Sequence, residues 1–275
     1  MPRRATQTAS AAERTARSRW IGLLGRLGLA AQGVSFTIVA VLALALALDE
    51  GGKATDPQGA FVTVAKHAWG RWLLVMLAAG LAGYAVWRFA EAFFDRAHAG
   101  AGLRGRVERA VKFVQGGVYA ALAVAAVRIV LGARPSSGRS ARSATADVLS
   151  WPGGELLVAA AGIAIIAVGV ANAYWGIAAR FKEGLRIEEL SRREERFITG
   201  LGTAGFLSLT VVFGIVGWFL LQAARDHRSD ETVTLGGALS KIAHAAYGPW
   251  LLALTAIGLL AFGLFAFVQA RYHRV

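Results

Sequence analysis

The 275-residue chain contains no cysteine, which excludes disulfides, thiolate metal ligands and thiol redox chemistry. Proline is scarce, with five residues, so few positions force a helix to break. Charge is scarce too: Asp, Glu, Lys and Arg together make up 17% of the residues, against about 25% in an ordinary soluble domain. No P-loop, no ordered Ser, His and Asp set and no pair of carboxylates inside an apolar run is present. An enzymatic activity therefore has nothing in the sequence to rest on, and neither a cofactor nor a metal ion is expected.

What is present is apolar. Hydrophobic residues make up 56% of the chain, and uncharged runs cover Leu27–Leu48, Leu156–Ala179, Phe197–Ala224 and Ala245–Ala270. About 20 apolar residues cross the hydrocarbon of a bilayer. Two more spans carry charge near one end, Trp72–Phe94 with Arg88 and Glu91, and Phe113–Ala133 with Arg128. The expected fold is all-α: a polytopic membrane protein with six transmembrane helices. The first span is too long for the apolar region of a signal peptide.

The formal net charge of +13 invites a nucleic-acid reading, but its distribution answers better to topology. Taking alternate sides of the six spans, 20 of the 30 Lys and Arg residues fall on the side of the two termini and 10 on the other. The positive-inside rule then places both termini in the cytoplasm. The implied location is the cytoplasmic membrane of a bacterium. The partners are membrane lipids and, by extension, another membrane protein, and no nucleic acid is expected.

The chain repeats itself. Residues Gly59–Ala92 and Gly237–Ala270 align without a gap and agree at 13 of 34 positions, including Gly70/Gly248, Trp72/Trp250 and Gly80/Gly258. A weaker copy runs from about Ala144 to Tyr174. The entering helices repeat as well. Arg26, Gln32 and Gly33 recur as Arg109, Gln115 and Gly116, and a third entrance reads as Arg196 followed by Gly202 and Thr203. Three tandem two-helix units result: residues 20–98, 99–182 and 183–275, after a disordered tail over 1–19. Each unit holds an entering span, a short amphipathic segment and a returning span. Phe61, Val64, Ala65 and Ala68 form the apolar face of the first short segment, and Leu239, Ile242, Ala243 and Ala246 that of the last. Between Arg134 and Ser143 the middle copy reads as a flexible loop, with only a turn near Asp147–Trp151. Residues Arg180–Arg196, dense in both signs, read as a solvated linker.

The triple repeat, the Arg-x5-Gln-Gly entrances, the glycine turn and the closing Ala270-Arg-Tyr-His-Arg-Val275 resemble a bacterial membrane family known as domain of unknown function 1206. The resemblance covers the chain from about Trp20 and implies the same architecture. It implies no activity.

The candidate functional positions are the polar groups inside spans: Gln32, Arg88, Glu91, Gln115 and Asn172. An intramembrane polar group marks either a pathway or a helix–helix bond. Gly200, Gly202 and Gly205 fit a dinucleotide-binding pattern, but they lie in an uncharged span, where small residues serve packing. His67, His227 and His244 lack metal-ligand spacing and read as loop residues. Tyr84, Trp87, Trp72, Trp250, Tyr174 and Trp175 read as belt residues near the two membrane surfaces. Two roles stay open: a structural or interaction protein, and a channel or small-solute transporter with an axial path between the repeats.

Overall fold

The computed structural model describes residues 2–48, 57–67, 69–94, 103–133, 137–185, 191–231 and 234–272. Nine α-helices are described: α1 (Pro2–Ala47), α2 (Pro57–Ala65), α3 (Gly70–Phe94), α4 (Leu103–Val130), α5 (Ser137–Leu149), α6 (Gly154–Ile177), α7 (Arg192–Arg225), α8 (Leu235–Ala243) and α9 (Gly248–Tyr272). Short 3-10 turns follow α6 and α7, at Arg180–Gly184 and Ser229–Glu231. Six of the helices (α1, α3, α4, α6, α7 and α9) are long and apolar enough to cross a membrane. They fall into three tandem units of long, short and long helix.

Two expectations change. The amino-terminal stretch, expected as a disordered tail, continues α1 back to Pro2. Its Ala and Arg are strong helix formers, and proline suits the first helical position. The middle repeat, expected to lose its short helix to a loop, has one in α5. Its small polar residues weaken the apolar period that a sequence reading relies on, and contact with α6 and the Ser229–Glu231 turn holds it in place.

One device builds all three turns. Each short helix is followed by a returning span that starts at a glycine: Gly70, Gly154 or Gly248. A Cβ at any of the three would run into a carbonyl oxygen of the preceding short helix, that of Val64, Val148 or Ala243. The backbone doubles back too closely for any side chain. Phe61 and Leu239 are completely buried, so α2 and α8 are wedged between the spans rather than lying loosely on a surface. Ala246, expected on the same face, is exposed beyond the end of α8, and Ala68 lies outside the described residues.

The long helices pack side by side in the order α4, α3, α1, α9, α7, α6. Within repeat 1, α1 meets α3, and within repeat 3, α7 meets α9. Between repeats, α3 meets α4, α6 meets α7, and α9 returns to α1. α4 and α6, the two long helices of repeat 2, share no packed face and stand at the two ends of this series. Glycine sets the close approaches. Gly33 of α1 faces the backbone of Gly263 in α9, and Gly162 and Gly217 do the same between α6 and α7. In a bilayer, where lipid tails compete equally for apolar surface, small residues bring backbones into van der Waals range. The main core joins α1, α7, α8 and α9, and a second joins α1, α2, α3 and α4.

The charged linker differs in part from its expected solvated state. Phe181 and Leu185 are buried, and Phe181 stacks on Phe206 at 5.5 Å and meets Phe265 edge-on at 4.8 Å. A linker that is polar on average still inserts its apolar members when a core lies within reach. Downstream, Ser191 opens α7 with a reciprocal capping box to Glu194. Residues 186–190 lie outside the described residues.

Candidate functional site

The polar groups of the spans collect where α1, α3 and α4 meet. The Gln32 side chain on α1 hydrogen-bonds the Tyr119 hydroxyl on α4. Tyr119 packs edge-on against Tyr84 of α3 at 4.5 Å. One turn along α3, Arg88 donates to the Tyr84 hydroxyl from Nη2 at 2.6 Å and from Nε at 3.0 Å. Its remaining arm, Nη1, donates to Glu91 Oε2 at 2.9 Å. The other oxygen of Glu91 lies 3.9 Å from Lys112 Nζ on α4. The guanidinium also sits over the Trp87 ring, 4.6 Å from its centroid.

The local sequence explains why these groups can meet. Tyr84, Arg88 and Glu91 follow at helical spacings of four and three and share one face of α3. The tyrosine ring needs room, and Gly28 of α1 gives it: a Cβ there would overlap the Tyr84 side chain. Gly25 does the same for the Trp87 indole. Tyr84 and Trp87, expected in a surface belt, are therefore buried between helices, whereas Trp72, Trp250, Tyr174 and Trp175 are exposed near helix ends as expected. Arg26, expected at the headgroups, has its Nε buried without a hydrogen-bond partner.

Of the five candidates, Gln32, Arg88 and Glu91 come together in this cluster. Gln115 is half-buried on α4, one turn before Tyr119, and outside the hydrogen-bonded chain among the described residues. Asn172 is on α6, which packs on α7 and not on α1, α3 or α4, with its amide nitrogen bonded to the Val168 carbonyl of its own helix at 2.8 Å. The sequence reading missed Tyr119, Tyr84 and Lys112 as members. The tyrosine and arginine four apart beside a glycine on a partner helix were the available signal.

The third entrance is in a different register from the one expected. Gly205 of α7 admits Phe262 of α9 as Gly28 admits Tyr84, and Thr210 faces Gly169 as Gly33 faces Gly263. Leu209, not Gly202, therefore occupies the place of Gln32. The extra two turns at the start of α7 displaced the alignment. Gly202 and Gly205, part of the dinucleotide-like pattern, receive Phe181 and Phe262. On the far side of repeat 3, Thr203 and Thr210 donate to the carbonyls of Gly176 and Gly169 on α6, at 2.9 and 3.0 Å.

The three candidate histidines are dispersed. His67 and His244 each lie within hydrogen-bonding distance of a carbonyl of their own short helix, at 3.2 and 2.7 Å, and His227 lies 3.9 Å from Glu155. Among the described residues no three His, Asp or Glu side chains group as metal ligands. Asp49, Glu50 and Asp56 lie outside the described residues.

Six apolar spans in three two-helix repeats, fastened by glycine contacts and interhelical hydrogen bonds, define a multi-pass helical membrane protein. The chain belongs to the family described as Domain of Unknown Function (DUF1206), which matches it three times, at residues 27–95, 112–179 and 204–273. The first and last matches start at 27 and 204, the same register that the glycine contacts give. A protein of Bacillus subtilis (strain 168), "Uncharacterized protein YxxB", is 30% identical over 256 residues, covering 93% of this chain and 92% of that protein. No solved structure matches.

Proposed function

We propose that the protein is a structural or interaction element of the bacterial cytoplasmic membrane, with both termini in the cytoplasm and no reaction of its own. Lipids and a second membrane protein are its partners. The observation that carries this reading is how the polar groups inside the spans are used. Gln32 is bonded to Tyr119, Arg88 to Tyr84 and Glu91, Asn172 to its own helix, and Thr203 and Thr210 to the carbonyls of α6. Each bond fastens a helix or satisfies it from within, and the remaining core contacts are those of Gly, Ala, aliphatic and aromatic side chains. The twofold excess of Lys and Arg on the side of the termini supports the orientation. A bacterial relative of the same length supports the setting.

A channel or small-solute transporter is the second reading. It is favoured by the chain of contacts from Gln32 through Tyr119, Tyr84, Arg88 and Glu91 to Lys112, which links three helices without a break. Solute flux in proteoliposomes separates the two. The structural role expects background flux from the wild type and from Gln32→Leu with Gln115→Leu. A flux that the double variant abolishes while the fold survives would overturn it.

A further inference from the structure

In each repeat the short helix, its returning span and a neighbouring entering span come together near the turn. In repeat 1, Phe61 of α2, Leu74 and Leu77 of α3 and Ala126 of α4 share one buried cluster. In repeat 3, Leu239 of α8, Leu252 of α9 and Ala43 of α1 share another. The corresponding place in repeat 2, between α5, α6 and α7, is an apolar hollow of about 310 Å³.

The changes that open it can be read position by position. Counted from the three turn glycines, Thr145 stands where Phe61 and Leu239 do, and Val158 where Leu74 and Leu252 do. Ala161 stands where Leu77 and Thr255 do. All three line the hollow, together with Ala144 and Val148 of α5 and Leu220 of α7. In the register of the entering spans Leu220 takes the place of Ala126 and Ala43, so it returns part of the lost volume. Phe61 and Leu239 are completely buried. Repeat 2 therefore lacks the wedge side chain that the other short helices drive between spans. On the α6 side Leu157 and Ala161 are exposed, so the hollow opens sideways, where a membrane span meets lipid.

We propose that this hollow binds a hydrocarbon chain of a bilayer lipid in place of the missing wedge. Its lining offers nothing to a polar ligand, because the one hydroxyl, that of Thr145, donates to the Ala141 carbonyl of its own helix at 3.0 Å. A polar group entering it would lose its water without gaining a hydrogen bond. An apolar cavity of about 150 Å³ takes up benzene, and this hollow has about twice that room, enough for a run of methylene groups. A partner helix, about 10–12 Å across, is too wide for a space that a single side chain fills in the other repeats.

The full chain is reconstituted in vesicles of phosphatidylethanolamine and phosphatidylglycerol, part of the latter carrying a diazirine in one acyl chain. It is re-extracted and washed in mild detergent, then irradiated, and the adducts are mapped by mass spectrometry. Wild type is expected to carry a lipid adduct on Thr145, Leu157, Ala161 or Leu220. Thr145→Phe with Ala161→Leu, which restores the side chains of repeat 1, should abolish it. If that double variant does not fold, Ala161→Leu alone should lower the yield. Ile163→Phe, at an exposed position on the opposite face of α6, should keep the wild-type yield. No adduct in wild type, an equal yield from folded filled variants, or an equal loss in Ile163→Phe each overturns the proposal. So does a protein that co-purifies with wild type and is lost from the filled variant while no lipid adduct forms, since a partner's side chain would then be the occupant. The inference gives one of the lipid partners its place, and because lipid retention is read without any flux, it stands or falls apart from the structural role.

Discussion

Thr37 and Thr210 are the same residue type at two different interhelical contacts, α1 with α9 and α7 with α6, with opposite consequences. Thr210 bonds the Gly169 carbonyl across to α6, while the hydroxyl of Thr37 is buried without a partner beside Gly263. A side-chain hydrogen bond between membrane helices is worth roughly 0.6 kcal/mol on average. Thr210→Val should therefore lower stability by about that much. Thr37→Val removes an unmet polar group without changing shape, so stability should hold or rise. Paired thermal melts in one detergent check both. Glycine is the less forgiving residue. Gly80 faces both the Ala31 side chain and the Leu27 carbonyl, so Gly80→Leu should cost about 1–3 kcal/mol through overpacking. Gly117 has nothing within 4 Å of the place a Cβ would take, and Gly117→Ala should not destabilise. Equal melting of wild type and Gly80→Leu would mean that α3 does not lean on α1.

Among the elements, the long helices were legible in the sequence because apolar length is a signal that no tertiary context overrides. The first and third short helices were legible because Phe61, Val64, Leu239 and Ile242 keep helical spacing. α5 was not, since its Ser, Arg and Thr residues carry little apolar period and its position comes from contact with α6. The polar site was half legible. Gln32, Arg88 and Glu91 stand out as polar letters in apolar runs, but Tyr84 and Trp87 are amphipathic and read equally well as surface belt or core. Only the glycines across the interface decide, and which helix lies opposite cannot be read from one chain. Asn172 stood out for the same reason as Gln32 and turned out to serve its own helix. The turn glycines offer a check at this scale. Gly154→Ala places a Cβ against the Val148 carbonyl, so α5 should lose its position while the distant contact of Gly33 with Gly263 is kept. Protease sensitivity gained within residues 137–153, with the rest of the chain protected, is the expected readout. Unchanged sensitivity there would mean that the turn is looser than the geometry requires.

The whole molecule is an open series of six long helices in which the most extensive seams lie between repeats rather than within them. Orientation in the membrane follows from charge and can be tested by labelling, because the chain has no cysteine of its own. Ala146→Cys, exposed on α5, should react with an impermeant maleimide in intact cells, and Ser191→Cys only after lysis; the reverse would invert the topology. This packing order is tested most directly by cysteine cross-linking in the membrane. The pairs Gly169→Cys with Phe213→Cys, Ala31→Cys with Gly80→Cys, and Gly33→Cys with Phe267→Cys span three of the packed junctions. Val114→Cys with Ala164→Cys joins α4 to α6, at the positions of repeat 2 that correspond to Ala31 and Gly80. The account predicts oxidative cross-linking of the first three pairs and none of the last. A cross-link between Val114→Cys and Ala164→Cys as efficient as the others would contradict it, because repeat 2 would then be closed like its neighbours.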